Sequence, residues 1–318
     1  MTRFYALEAI RSVPWAIQPE YLGAIEAIAC RALDTPTLEI LRADGHAERY
    51  AATLSAVADT GSKLAGTKNL SVNNGGTAIM QVMGPIFPRA NMMTNFSGAT
   101  ALSDLSEDLQ AAQDASQVQQ ILMIMDTPGG VTTGVSDFAK QLAASRKPVT
   151  VFVPGSCCSA GYWIASQASS IVMDDTAYVG SLGVVVSGSQ QVQADSSGRM
   201  SADITSSNAP NKRLNVTDTD DQAKIRALLD EIESVFLNAV ASGRGTTLDN
   251  VQQNFGQGGM MGAQSAIKAG MADRIDTLSN TLTRLGAQNT QKPTANRPKR
   301  TAAQADLEAR RNRAEGRH

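Results

Sequence analysis

The spacing of apolar positions divides this chain into three regions. Over residues 1–65 the period is helical: Leu22, Ile25, Ala29 and Leu33 recur three or four apart, and Leu38 and Leu41 follow. Such spacing puts apolar side chains on one face of a helix, so a helical N-terminal extension is expected. The stretch 66–76 (GTKNLSVNNGG) is rich in Gly and Asn and reads as a loop. Residues 77–278 alternate between two periods. TAIMQVMGPI reads as a strand, 100–115 as a helix, QQILMIMD as a buried strand, VSDFAKQLAAS as a helix and PVTVFV as a strand. SAGYWIASQAS then reads as a short apolar helix and SIVMD as a further strand. Strands interleaved with helices in this way predict α/β architecture with parallel pairing.

The clearest helix is expected over 218–242. Ile225, Leu228, Leu229, Ile232, Val235, Phe236 and Val240 form one stripe, Thr219 and Gln222 fit a capping box, and Gly243 offers a stop. AQSAIKA, Gly270 and MADRID read as a helix, its C-cap and a last strand. Beyond 278 the pattern lapses. Residues 279–318 carry nine Lys or Arg against three Asp or Glu, with Pro293 and Pro298, and read as a basic, flexible tail.

Composition narrows the function. With 42% hydrophobic residues among 318, a sizeable aliphatic core is available. A net charge of −2 disfavours a general nucleic-acid binder, leaving only weak contact by the basic tail. The three cysteines are Cys30, Cys157 and Cys158; an odd count with two adjacent gives no disulfide framework and points to a reducing compartment. No run approaches the ~18–20 apolar residues of a membrane span, and Glu8 and Arg11 interrupt the N-terminal apolar stretch. A soluble intracellular protein without signal peptide or membrane anchor is expected.

The chemistry is limited by what is missing. The two histidines, His46 and His318, lie outside the α/β region, which disfavours Ser-His-Asp or Cys-His catalysis. No HExxH, CxxC pair, phosphate loop or dinucleotide fingerprint is present, so neither metal nor cofactor is expected. Two glycine-bearing turns each follow an apolar strand and run toward a helix: Asp126-Thr127-Pro128-Gly129-Gly130, and Gly155-Ser156-Cys157-Cys158-Ser159-Ala160-Gly161-Tyr162. In a parallel sheet both fall on the carboxyl rim, where ligand sites collect. Glycines and a helix N-terminus there could supply an oxyanion hole beside a hydroxyl. Singly, each is more often only a turn, and a serine at a helix start is usually a cap.

Four ordered segments carry a resemblance: DTPGG at 126–130, SCCSAGYWIASQAS at 156–169, YVGSLGV at 178–184 and FGQGGMMGAQSAIKAGMADRID at 255–276. Together they resemble the signal peptide peptidase A-like serine peptidases, and within them the head-maturation proteases of tailed phages. The resemblance covers residues 77–278 and extends weakly into PWAIQPEYLGAI. It implies a clp/crotonase-like fold of repeated ββα units over 66–278 and a Ser-Lys dyad. Ser159 takes the position of the nucleophile. Lys212 is the single lysine between Val186 and the long helix, although the family's usual glycine-rich turn around that lysine is absent. The resemblance makes the amides of Gly130 and Ala160 the oxyanion hole, supported by Gly129, Gly161 and Ser181. Its implied substrates are scaffold, capsid or portal proteins and the chain itself, cut by a homo-oligomer in the host cytoplasm, procapsid or virion. Competing readings are a crotonase-type acyl-CoA enzyme, an inactive capsid-associated protein, and a cellular signal peptide peptidase, which would normally carry a membrane anchor.

Overall fold

The computed structural model describes residues 13–18, 21, 22, 25, 61–64, 67, 70–73, 75–90, 99–187, 193, 194, 198, 200 and 204–290. In chain order the first elements are strands β1 (Trp15–Ile17), β2 (Gly61–Lys63), β3 (Ser71–Asn73), β4 (Thr77–Met83), β5 (Ile86–Phe87) and β6 (Thr100–Ala101), then helix α1 (Leu102–Asp114). Next come β7 (Gln120–Asp126), β8 (Gly129–Val131), α2 (Val135–Ala143), β9 (Val149–Val153), β10 (Ser156–Cys158), α3 (Ala160–Ala165), β11 (Ser170–Met173) and β12 (Tyr178–Gly180). A 3₁₀ turn (Pro210–Lys212) precedes α4 (Thr219–Arg244), α5 (Leu248–Asn254), β13 (Met260–Gly262), α6 (Ala263–Ala269), β14 (Arg274–Ile275) and α7 (Leu278–Thr290). The order long strand, short strand, helix recurs as β7-β8-α2 and β9-β10-α3, and β11-β12 begins it again. This is the expected clp/crotonase-like ββα repeat.

The long strands form one sheet in the order β14-β11-β9-β7-β4-β3-β2. From β14 to β4 all pairings are parallel; β3 and β2 add antiparallel strands at the edge. β7 reads QILMIMD and is buried on both faces, as parallel strands require. Met123 and Met125 point into the main core with Phe138 of α2 and Trp163 of α3; Leu122 and Ile124 point to the opposite face. The short strands make two smaller sheets, β1-β8-β5-β6 and β10-β12-β13, which hold the carboxyl rim.

Three expectations are corrected. Residues 15–17 of the extension are a buried strand, paired antiparallel with β8 through Trp15↔Val131, Ala16↔Gly130 and Ile17↔Gly129. Three consecutive inward residues leave no polar face for a helix to present. Residues 61–63 and 71–73 are also strands. Leu22 and Ile25 are helical and buried; Ala29, Leu33, Leu38 and Leu41 lie outside the described residues.

The second correction concerns the tail, whose first part is α7. Leu278, Leu282 and Leu285 cover Ile79, Leu122, Ile124, Phe152 and Val172 on the second sheet face. That face needs cover, and three leucines at i, i+4 and i+7 supply it despite the polar residues between them. Gln120 donates to the Leu285 carbonyl (2.8 Å), and Asp276 accepts from Asn280 (3.0 Å) and Arg284. Residues 291–318 lie outside the described residues.

The third is the framing of α4. Its N-cap is Asp218, whose carboxylate accepts from the Asp220 and Asp221 amides, both at 3.0 Å. The helix runs through Gly243 to a C-cap at Gly245. Gly243 is there for close approach: a β-carbon on it would lie 2.3 Å from the Ser166 carbonyl oxygen of the neighbouring helix end.

Candidate active site

The two glycine segments meet, but as short strands rather than bare turns. Thr127 joins them. Its amide donates to the Ser156 carbonyl (2.8 Å) and its carbonyl accepts from Cys158 (3.0 Å). Its buried hydroxyl donates to the Gly84 carbonyl (2.7 Å) and accepts from the Gly129 amide (3.1 Å). Asp126 adds a second tie, accepting from the Ser156 amide and hydroxyl at 2.9 and 3.0 Å. Thr127 was inside a recognised motif, yet only the fold reveals that it clamps both segments.

Ser159 stands where β10 turns into α3. Its amide donates to the Gly180 carbonyl (2.8 Å), and its own carbonyl accepts from Trp163 (2.9 Å). Those bonds hold it at φ 52°, ψ −116°. A residue with a β-carbon avoids this region, which costs roughly 1–3 kcal/mol. Its side chain caps no helix amide, which removes the bland reading of a helix-capping serine. The residue is fully buried, and its Oγ is 3.4 Å from the Gly183 carbonyl oxygen. A substrate therefore has to displace what covers the hydroxyl.

The expected supporting residues cluster around it. A β-carbon on Gly129 would sit 2.2 Å from the Ala16 carbonyl oxygen and 3.0 Å from Ser159 Cβ, and Gly129 has φ 109°. Only glycine lets β8 pass this close to the serine. Gly130 lies in the same strand, between Ala16 of β1 and Ile86 of β5. Ala160 is the first residue of α3, so its amide has no intrahelical acceptor. Gly161 packs against Thr127, where a β-carbon would come within 2.4 Å of Cγ2. Ser181 follows β12 at φ 53° and donates its amide to the Gly259 carbonyl (2.8 Å).

Lys212 is not brought to the serine. It lies exposed on the 3₁₀ turn, and no hydrogen bond links it to Ser159 or Ser181. In the single chain this amine is therefore open to water. Cys157 and Cys158 are buried and free, and burial raises both thiols, Cys158 to about 12. A protonated, enclosed thiol is a poor nucleophile.

One acidic residue near the site was missed. Glu233 of α4 is half-buried, and its Oε1 would lie 3.4 Å from a β-carbon on Gly183, whose carbonyl faces Ser159 Oγ. Burial, and then the nearby Asp230 carboxylate, raise its pKa. The available signal was its position four residues from Leu229, on the edge of the apolar stripe. Among the described residues no group of three or more His, Cys, Asp or Glu could hold a metal, and no helix is long and apolar enough to cross a membrane.

Residues 141–292, which include Ser159, α3 and the last strands, match Peptidase family S49. Over that stretch, just under half of its length, the chain is similar to that family. It is 29% identical over 251 residues to Capsid assembly protease C of Escherichia phage lambda, covering 73% of this chain and 56% of that protein. It is 28% identical over 214 residues to Head-tail preconnector protein GP5 of Enterobacteria phage P21, covering 65% and 42% respectively. The chain thus spans about half the length of the curated relatives it matches. Among solved structures, the 1510-N membrane-bound stomatin-specific protease S97A mutant aligns over 65% of this chain and 82% of its own. That alignment has 16% identity and a TM-score of 0.42, a likeness too slight to bear on the site.

Proposed function

We propose that this chain is a serine endopeptidase of phage head maturation, cutting scaffold, capsid or portal proteins and itself, with Ser159 as nucleophile. The observation that carries the reading is the strained, non-capping Ser159 at the β10–α3 turn. Similarity to a peptidase family over residues 141–292 and to a protein named for capsid assembly supports the biological setting, in the host cytoplasm and the procapsid or virion.

In this reading Lys212 Nζ takes the Ser159 proton as Oγ bonds to the scissile carbonyl carbon. The carbonyl electron pair moves to oxygen, where the Gly130 and Ala160 amides donate to it, each worth about 3–4 kcal/mol if like other oxyanion donors. Collapse breaks the C–N bond and Lys212 returns its proton to the leaving amine. Water, deprotonated by the same amine, then releases the acyl group. Lys212 has to lose its water to act as a base near neutral pH. Packing of a second copy over the exposed part of α4 and the 3₁₀ turn would bury it, so the active form is a homo-oligomer. Ser181 then orients the lysine.

The test is mass spectrometry of the chain co-expressed with its neighbouring capsid proteins. Ser159→Ala and Lys212→Ala should each abolish the fragments while keeping the fold. An unchanged fragment pattern from Ser159→Ala removes the peptidase reading. Retention of most activity by Lys212→Ala assigns the base elsewhere.

A further inference from the structure

Residues beyond the nucleophile define a groove. Gly183 faces Ser159 Oγ, and two residues later Val185 pairs antiparallel with Trp15 through two 2.8 Å bonds, so the segment is extended as it reaches Val186. Three extended residues span about 10 Å. Alongside this segment runs one face of α4. Glu233 lies at the Gly183 end. One and two turns nearer its N-terminus, Leu229 and Ile225 join Val186 and Val216 around a cavity of about 170 Å³, also lined by Gln222 and Arg226. The i, i+4, i+8 spacing of Ile225, Leu229 and Glu233 puts all three on the same helix face.

The two ends of this groove differ in chemistry. At one end is a half-buried carboxylate with no ion pair or hydrogen bond to any described residue, against a glycine that leaves room beside it. A carboxylate held out of water favours a cationic partner. At the other end is an open aliphatic pocket large enough for a branched side chain. An extended peptide places alternate side chains on one side at about 7 Å intervals, so a chain lying along residues 183–186 can fill both positions at once.

We infer that this groove recognises an extended polypeptide by a Lys or Arg side chain at Glu233 and an aliphatic side chain in the pocket of Val186, Val216, Ile225 and Leu229. The inference rests on the peptidase reading only in placing the cationic residue beside the cleaved bond; recognition itself needs no catalysis. Lysine lies nearest the bond and the aliphatic residue two to four positions further out. Leu228 and Val235, which are exposed on a different face of α4, remain free for a second copy.

The test uses the full chain carrying Ser159→Ala, so that binding is read without turnover. Fluorescein-labelled decapeptides of Ala, Gly and Ser carry one Lys and one Leu, placed two, three or four positions apart in both orders. Anisotropy titrations should find at least one spacing that binds about tenfold tighter than its Lys→Gln counterpart. Glu233→Gln should erase that difference, and Leu229→Arg should erase the preference for Leu. If no peptide gains affinity from its lysine, or if Glu233→Gln weakens lysine and glutamine peptides equally, the inference is overturned. If the preference is present but the wild-type chain leaves the same peptide intact, the recognition groove stands and the peptidase reading falls.

Discussion

The two halves of α4 share one apolar period and have different fates. Toward its C-terminus Phe236, Leu237, Val240 and Ala241 are buried, with the Phe236 ring stacked on Trp163 at 4.7 Å. Toward its N-terminus Leu228 is 53% exposed. The buried half braces α3, the helix that begins next to Ser159. The exposed half adjoins the turn that carries Lys212. In the single chain the surroundings of Ser159 are therefore packed and those of Lys212 are open, and the difference falls where α4 leaves the core.

The sharpest way to break this comparison is to truncate each half. Phe236→Ala removes a fully buried ring and should cost about 3–5 kcal/mol of stability. Leu228→Ala should stay within about 0.5 kcal/mol in the monomer. Urea unfolding of both variants checks this, and equal losses would mean that the exposed half is covered after all.

A smaller effect sharpens the assembled side. Ser159→Gly should abolish cleavage and yet raise stability by roughly 1 kcal/mol, because glycine accepts φ 52° without strain. Ser159→Ala keeps the strain and should show no such gain. A Ser159→Gly variant less stable than the wild type would mean that the turn is not strained.

The smallest effect concerns α7. Asn280, the Thr277 amide and Arg284 hold the Asp276 carboxyl below its ordinary pKa. A depressed carboxylate stabilises the fold above its unfolded pKa of about 3.9, and that contribution is lost as pH falls through the lower folded value. Asp276→Asn should thus weaken the fold at neutral pH, and the gap to the wild type should close as pH falls below about 4. A gap that persists at low pH would mean that shape rather than charge makes the difference.

Much of this was legible in the residues. The β7, β9 and β11 runs, the helices between them and Gly270 as a C-cap follow from local apolar period and turn chemistry. The DTPGG and SAGY segments, which the structure brings together around Ser159, were legible because their order is local as well. Hidden from view were β1 and α7, two elements that exist only because distant surfaces need them. β1 pairs with β8 across more than a hundred residues, and α7 covers the second face of the sheet. Local period cannot reveal a partner of that kind.

Sequence by itself determined the α/β alternation and the two glycine-bearing segments around Ser159, because each rests on residues adjacent in the chain. Tertiary structure decided the rest: the strain on Ser159, its clamping through Thr127, the approach of Glu233 to Gly183 and the exposure of Lys212. Those depend on which surfaces pack together, and packing brings together side chains that sequence spacing leaves far apart.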